Sequence, residues 1–188
     1  TDLNIMYRGY DNPFSISVPG ISSNQIEVKC KQTQITKKNN TWIIVPSGNS
    51  PDELDIEVYA KINNRDVLMG SHRYRIKNLP RPDAYFEIDG EVTEETKIAY
   101  RHLINPKNKI VASYGSDGLI QAKFDIVGFQ VKFHTGVAIT VNGDHFDSKV
   151  LATIKKLKQG NTINIMYIKA KGPDGREVQL RGLPIELN

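Results

Sequence analysis

At 188 residues, with 39% hydrophobic and 24% charged residues, the chain has the length and composition of one large soluble β domain or two small ones, two being expected. The formal net charge of +4 points at first to an anionic partner, but Lys and Arg outnumber Asp and Glu only 11 to 8 before Asp83 and 14 to 13 from Asp83 onward, so neither half carries a nucleic-acid-binding field. No run approaches the ~18 uninterrupted apolar residues of a membrane helix, so no membrane contact is expected.

In chain order the dominant period is two. Strands are predicted over residues 3–7, 14–18 and 26–31, the last with Ile26, Val28 and Cys30 on one face and Glu27, Lys29 and Lys31 on the other. Cys30, the single cysteine, excludes an intrachain disulfide and every multi-cysteine zinc site, and its phase turns it toward a core as a small hydrophobe. Residues 41–45 follow, with Trp42, the single tryptophan, as a core plug. Leu54, Ile56, Val58, Ala60 and Ile62 then alternate with polar neighbours, and Asn63-Asn64 turns the chain into a strand over 67–76, where His72 shares the phase of Tyr74 and Ile76. The one-face alternation of residues 54–62, and of 129–133 and 137–141 further on, marks those strands as antiparallel.

Periodicity stops at Leu79-Pro80-Arg81-Pro82 and then restarts. Two prolines flanking one residue favour an extended, stiff path. The expected division is therefore a first Ig-like domain over residues 1–79, a proline-stiffened linker at 80–82 and a second Ig-like domain over 83–188. Strands are predicted there at 85–88, 110–113, 129–133, 137–141, 162–170, 178–180 and 183–187. Turns are expected at 115–118, at Asn142-Gly143 and at Gly172-Pro173-Asp174-Gly175. Two short helices are possible, at 93–101 and more convincingly at 147–158, where Asp147 or Ser148 caps a face of Val150, Leu151, Ile154 and Leu157 and Gly160 ends it. The fold class expected is all-β: two tandem Ig-like β-sandwiches with one or two short helices.

The chemistry-bearing residues form no catalytic pattern. His72, His102, His134 and His145 lack metal-ligand spacing, and His102 and His145 are expected in loops. There is no nucleophile elbow, phosphate loop or dinucleotide fingerprint. Neighbouring acids such as Asp52-Glu53 and Glu94-Glu95 project differently and suit a solvated surface, while Asp117 and Asp144 have too few nearby oxygens for a calcium loop. The Lys155, Lys156 and Lys158 run reads as a solvated face. No enzyme activity, metal or cofactor is expected.

One cluster is more specific. Tyr7-Arg8-Gly9-Tyr10-Asp11-Asn12-Pro13, followed by residues 14–20, resembles the opening of the C-terminal region of the GldM/PorM family, the periplasmic motor proteins of the Bacteroidota type IX secretion and gliding-motility system. Leu79-Pro80-Arg81-Pro82, Phe129-Gln130-Val131 and the stretch from Leu157 through Gly172-Pro173-Asp174-Gly175-Arg176 are similar, in the same order, to the family's domain junction, the next strand and the ending. Within the motif Gly9 is expected to permit a turn, Asn12-Pro13 to set the entry of a strand, and Arg8 to tie the loop to carbonyls or to Asp11.

The resemblance implies a non-catalytic, homodimeric shaft segment. It transmits force across the periplasm from an inner-membrane, proton-driven motor partner to outer-membrane-associated ring proteins, a ring lipoprotein and its periplasmic companion. The chain, starting at Thr1 without Met, is then expected to be a fragment whose inner-membrane anchor lies upstream. Loops of the second domain are the expected partner contact, with Arg176 as the preferred anchor and Asp174, Asp117, Asn142 and His145 as further candidates; closure of a hairpin is the plainer role for residues 173–176. The rival reading is an Ig-like adhesion or glycan-binding module, which exposed aromatics on a sheet face would favour.

Overall fold

The computed structural model describes residues 4–188, so Leu3, the start of the first predicted strand, lies outside the described residues. Strands make up 49% of the chain and helices 8%, which makes it an all-β protein of Ig-like sandwiches. It divides into two compact units, one running up to Leu79 and including Pro173–Gly175, the other made of Pro80–Gly172 and Arg176–Asn188.

The first unit holds β1 (Ile5–Tyr7), β2 (Asn12–Phe14), β3 (Ile26–Lys29), β4 (Ile35–Lys38), β5 (Thr41–Ile44), β6 (Glu53–Ile62) and β7 (Arg65–Lys77). One sheet runs β1-β7-β6-β3 and the other β2-β5-β4. Their inward residues share a core of Met6, Ile26, Val28, Trp42, Ile44, Leu54, Ile56, Val58 and Ile76. Each fully buried Leu or Ile among them contributes on the order of 2 kcal/mol of transfer free energy. The alternation of β6 accounts for its burial as far as Ala60, but Ile62 is exposed, because β6 and β7 there run past the core as a hairpin closed by Asn63 and Asn64, both at positive φ.

Several sequence expectations are corrected here. Residues 15–18 are not a strand; the ladder lies at β2, which begins two residues earlier than expected. β4 was not anticipated, and its turn to β5 is marked by Asn39 at φ 55°. Cys30 lies just past the end of β3 yet packs half-buried against the core, as its phase implied, with its Sγ 3.1 Å from Gln32 Oε1. His72 is exposed, while Ile76 alone of its phase is fully buried. β6 pairs both its neighbours antiparallel, as its alternation implied, whereas β1 pairs β7 in parallel.

The second unit contains β8 (Asp83–Ile88), β9 (Glu91–Thr93), β10 (Lys97–Ile98), α1 (Tyr100–Leu103), β11 (Lys109–Ser113), β12 (Asp125–Phe133) and β13 (Ala138–Asn142). α2 (Ser148–Ile154), β14 (Thr162–Lys171), β15 (Glu177–Leu180) and β16 (Leu183–Leu187) complete it. The large sheet is ordered β10-β16-β14-β12-β13, with β15 also on β14; the small one is β11-β8-β9. Phe146 ties the two sheets, its ring 6.0 Å from Phe86 of β8 and 6.0 Å from Phe129 of β12.

β14 is long enough to pair β16 with its first half and β15 with its second. Ile163 and Ile165 point inward, and so do Ile168 and Ala170, which strict alternation cannot achieve. A β-bulge at Tyr167-Ile168, opposite Phe129 of β12, restores the phase, with Tyr167 in the left-handed region at φ 50°.

The helical reading of residues 93–101 is replaced by β9, β10 and the four-residue α1, so His102 belongs to a helix and not a loop. Asp89 and Gly90, both at positive φ, form the two-residue turn that pairs β9 with β8. α2 is shorter than expected, ending at Ile154, and is capped by Asp147, whose Oδ1 accepts from the Val150 N–H at 2.9 Å. Val137 is exposed and precedes β13, and β10 pairs β16 in parallel.

Candidate functional site

The motif at residues 7–13 is a hydrogen-bonded loop built around two buried polar side chains. Asn12 accepts from the Tyr7 N–H through Oδ1 at 2.9 Å, and its Nδ2 faces the carbonyls of Tyr7 at 2.9 Å, Tyr10 at 2.8 Å and Ile44 at 3.2 Å. One amide thus closes the β1–β2 connection and fastens it to β5. Gly9, at φ 69°, supplies the left-handed residue that this tight path needs, and its N–H donates to Pro46 O at 2.7 Å.

Arg8 does not reach Asp11. Its guanidinium donates to Ser50 O at 2.9 Å, Asp52 Oδ1 at 2.7 Å, Asn78 Oδ1 at 3.2 Å and Ile76 O at 3.4 Å. The forked donors therefore bind the motif to the segment before β6 and to the end of β7. The Arg8 side chain is 9% exposed and that of Asp52 is 92% exposed, so the pair keeps one face in water and avoids the full desolvation of a buried ion pair. The arrangement braces the loop against β5, the segment before β6 and the end of β7.

Ladder register places the candidate contact residues. Asp125, the first residue of β12, pairs Lys171, the last of β14, while Ser113 at the end of β11 pairs Asp83 at the start of β8. While Asp174 at the hairpin tip groups with the first unit, the β11–β12 loop with Asp117 and the β14–β15 hairpin with Arg176 therefore share one end of the second unit. It is the end at which residues 80–82 lead in, held by Tyr114 Oη donating to Pro80 O at 2.6 Å and Arg81 Nη1 donating to Gln179 O at 3.1 Å. Asn142 lies three residues inward, opposite Gly128. His145 is set apart, bridged to Lys109 at the other end of β11, with its Nδ1 2.6 Å from Asp144 Oδ1 and Lys109 Nζ 3.6 Å from Asp144 Oδ2.

Among the described residues no group of three or more His, Cys, Asp and Glu side chains could hold a metal ion, and no buried side-chain N or O lacks a hydrogen-bond partner. The shifted titrations have surface or packing causes. Hydrogen bonding to Arg73 holds Asp55 below the usual carboxylate range, hydrogen bonding to Glu57 raises Tyr59, and burial raises Tyr74 and Tyr85.

Sequence reasoning missed Asp52 and Asn78 as partners of Arg8, since they are 44 and 70 residues away in the chain. It also missed Tyr167, whose strained backbone shows only in the register. A phase break in the apolar positions, Ile163 and Ile165 against Ile168 and Ala170, was the available signal.

Two family models match, in tandem: residues 1–77 match the one described as GldM third domain, and residues 80–188 the one described as GldM C-terminal domain. No curated protein matches significantly.

Proposed function

Because the chain belongs to the GldM family, and so is a component of the gliding-motility and type IX secretion motor, we propose that its two β domains form the outer, periplasmic part of a homodimeric shaft. The shaft is anchored in the inner membrane, driven there by its proton-powered motor partner, and passes force to the outer-membrane-associated ring lipoprotein and its companion. The observation that carries this reading is the ordered pair of family matches spanning almost the whole chain. Mechanics agree with it. Arg8 and Asn12 brace the first domain where β1 and β7 meet, the side at which the connector leaves, and Pro80 and Arg81 are hydrogen-bonded to the second. A role that is purely mechanical needs no catalytic group, and we assign none.

Self-association has a suitable surface in β7. Residues 65–70 have no strand on their outer edge among the described residues, and Val67, Leu68 and Met69 are exposed there. Such an edge is a template for another chain, and we assign it to the second copy. Ring contact is assigned to the end of the second domain that carries Asp117 and Arg176, with Asn142 beside it. The test is surface-plasmon binding of the purified ring lipoprotein and its companion to the wild-type chain and to Arg176→Ala. A loss of about tenfold is expected for an arginine anchor; unchanged affinity removes Arg176 from the interface.

A further inference from the structure

The bulge in β14 creates a site that the shaft reading does not use. On the outer face of the large sheet, Asn142, Gly128 and Lys169 form one cross-strand row and Thr140, Gln130 and Met166 the next. Gly128 carries no side chain, and a Cβ built there would lie 2.8 Å from Val141 O, so only glycine fits and no side chain rises between the two flanking strands. These two rows border a shallow cleft of about 310 Å³ that includes Gly128 and is walled by Gln130, Thr140, Asn142, Tyr167, Lys169 and Glu177.

Tyr167 sets the character of this cleft. An aromatic residue at φ 50° is a backbone outlier that costs on the order of 1–3 kcal/mol. Its side chain is 57% exposed, so burial does not offset that strain. The bulge needs a left-handed residue, which glycine supplies without strain, yet here it presents a ring beside the cleft.

The remaining walls select the ligand class. Gln130, Thr140 and Asn142 each carry both donor and acceptor, and Lys169 and Glu177 contribute one charge of each sign, so neither an anion nor a cation is favoured. Exposed apolar area beside Tyr167 is confined to Val127, too little for the core of a protein interface. An aromatic plate surrounded by neutral donor–acceptor groups, in a cleft at the small end of the ligand range of about 300–1,000 Å³, matches a polyhydroxylated ring. Its C–H face stacks on the tyrosine while its hydroxyls exchange hydrogen bonds with the amides. We propose that the cleft beside Tyr167 is a saccharide-binding site that takes one or two sugar rings.

The test is titration of the isotopically labelled 188-residue chain with N,N′,N″-triacetylchitotriose, cellotriose and maltotriose, followed by amide NMR. Saturable shifts are expected, with at least one of the three, at the side-chain amides of Gln130 and Asn142 and at the backbone of residues 166–169. Tyr167→Phe keeps the affinity, whereas Tyr167→Ala weakens it roughly three- to tenfold, the worth of a stacking contact. A thermal melt of Tyr167→Ala that matches or exceeds wild type separates lost binding from lost folding. The proposal is overturned if none of the probes gives saturable shifts in the cleft up to millimolar concentrations, or if Tyr167→Ala binds as tightly as wild type. Neither result touches the motor reading, which rests on the family matches.

Discussion

Asn12 shows how one side chain can hold a loop in shape. Replacing it by Ala leaves the Tyr7 N–H and several carbonyls unsatisfied in a buried position, so Asn12→Ala is expected to destabilise the first domain by about 2–3 kcal/mol in denaturant unfolding. Asp52→Asn is expected to cost less than about 1 kcal/mol, since that carboxylate is solvated and Arg8 keeps its carbonyl partners. Tyr74 provides a pH test. Burial raises its pKa above the ordinary 10.0, so the folded state keeps a proton that the unfolded chain loses. The unfolded state then binds fewer protons, and stability falls as pH rises above 10, through the folded pKa. Tyr74→Phe is expected to reduce that alkaline loss, measured as the change in urea midpoint between pH 9 and pH 11. An unaltered slope would show that Tyr74 does not contribute.

At the scale of elements, sequence legibility followed the physics of each segment. Strands buried on one face, such as β6 and β12, were readable because alternation and burial coincide. β9 was missed although Asp89-Gly90 is a strong hairpin signal, since three-residue strands carry too little periodicity to stand out. The 93–101 stretch read as a helix for the related reason that β10, only two residues long, is defined by its partner β16 and not by its own pattern. The bulge in β14 was hidden by a continuous run of strand-forming residues. Tyr167→Gly is expected to raise the second domain's melting temperature by a few degrees, because it relieves left-handed strain at an exposed position. A fall would mean that the ring packs more than its exposure implies. The β7 edge yields a prediction of its own. Leu68→Lys places a charge on the surface assigned to the second copy and is expected to shift the chain toward monomer in analytical ultracentrifugation. An unchanged dimer would move the interface elsewhere.

For the whole molecule, the ordered motifs carried the family assignment, because a hydrogen-bonded loop such as residues 7–13 constrains residue identity far more than a strand does. Placement of the contact loops was not legible, since which loops share an end depends on register between strands up to about 50 residues apart, such as Asp125 with Lys171. That register joins Asp117 and Arg176 and separates His145. The claim that the second domain carries the ring-facing surface is tested most directly by binding the purified ring lipoprotein and its companion to two chains, the full 188 residues and one ending at Leu79. The account predicts binding by the full chain and its loss, by at least about a hundredfold, in the shorter one. Equal affinity of the two chains would contradict it.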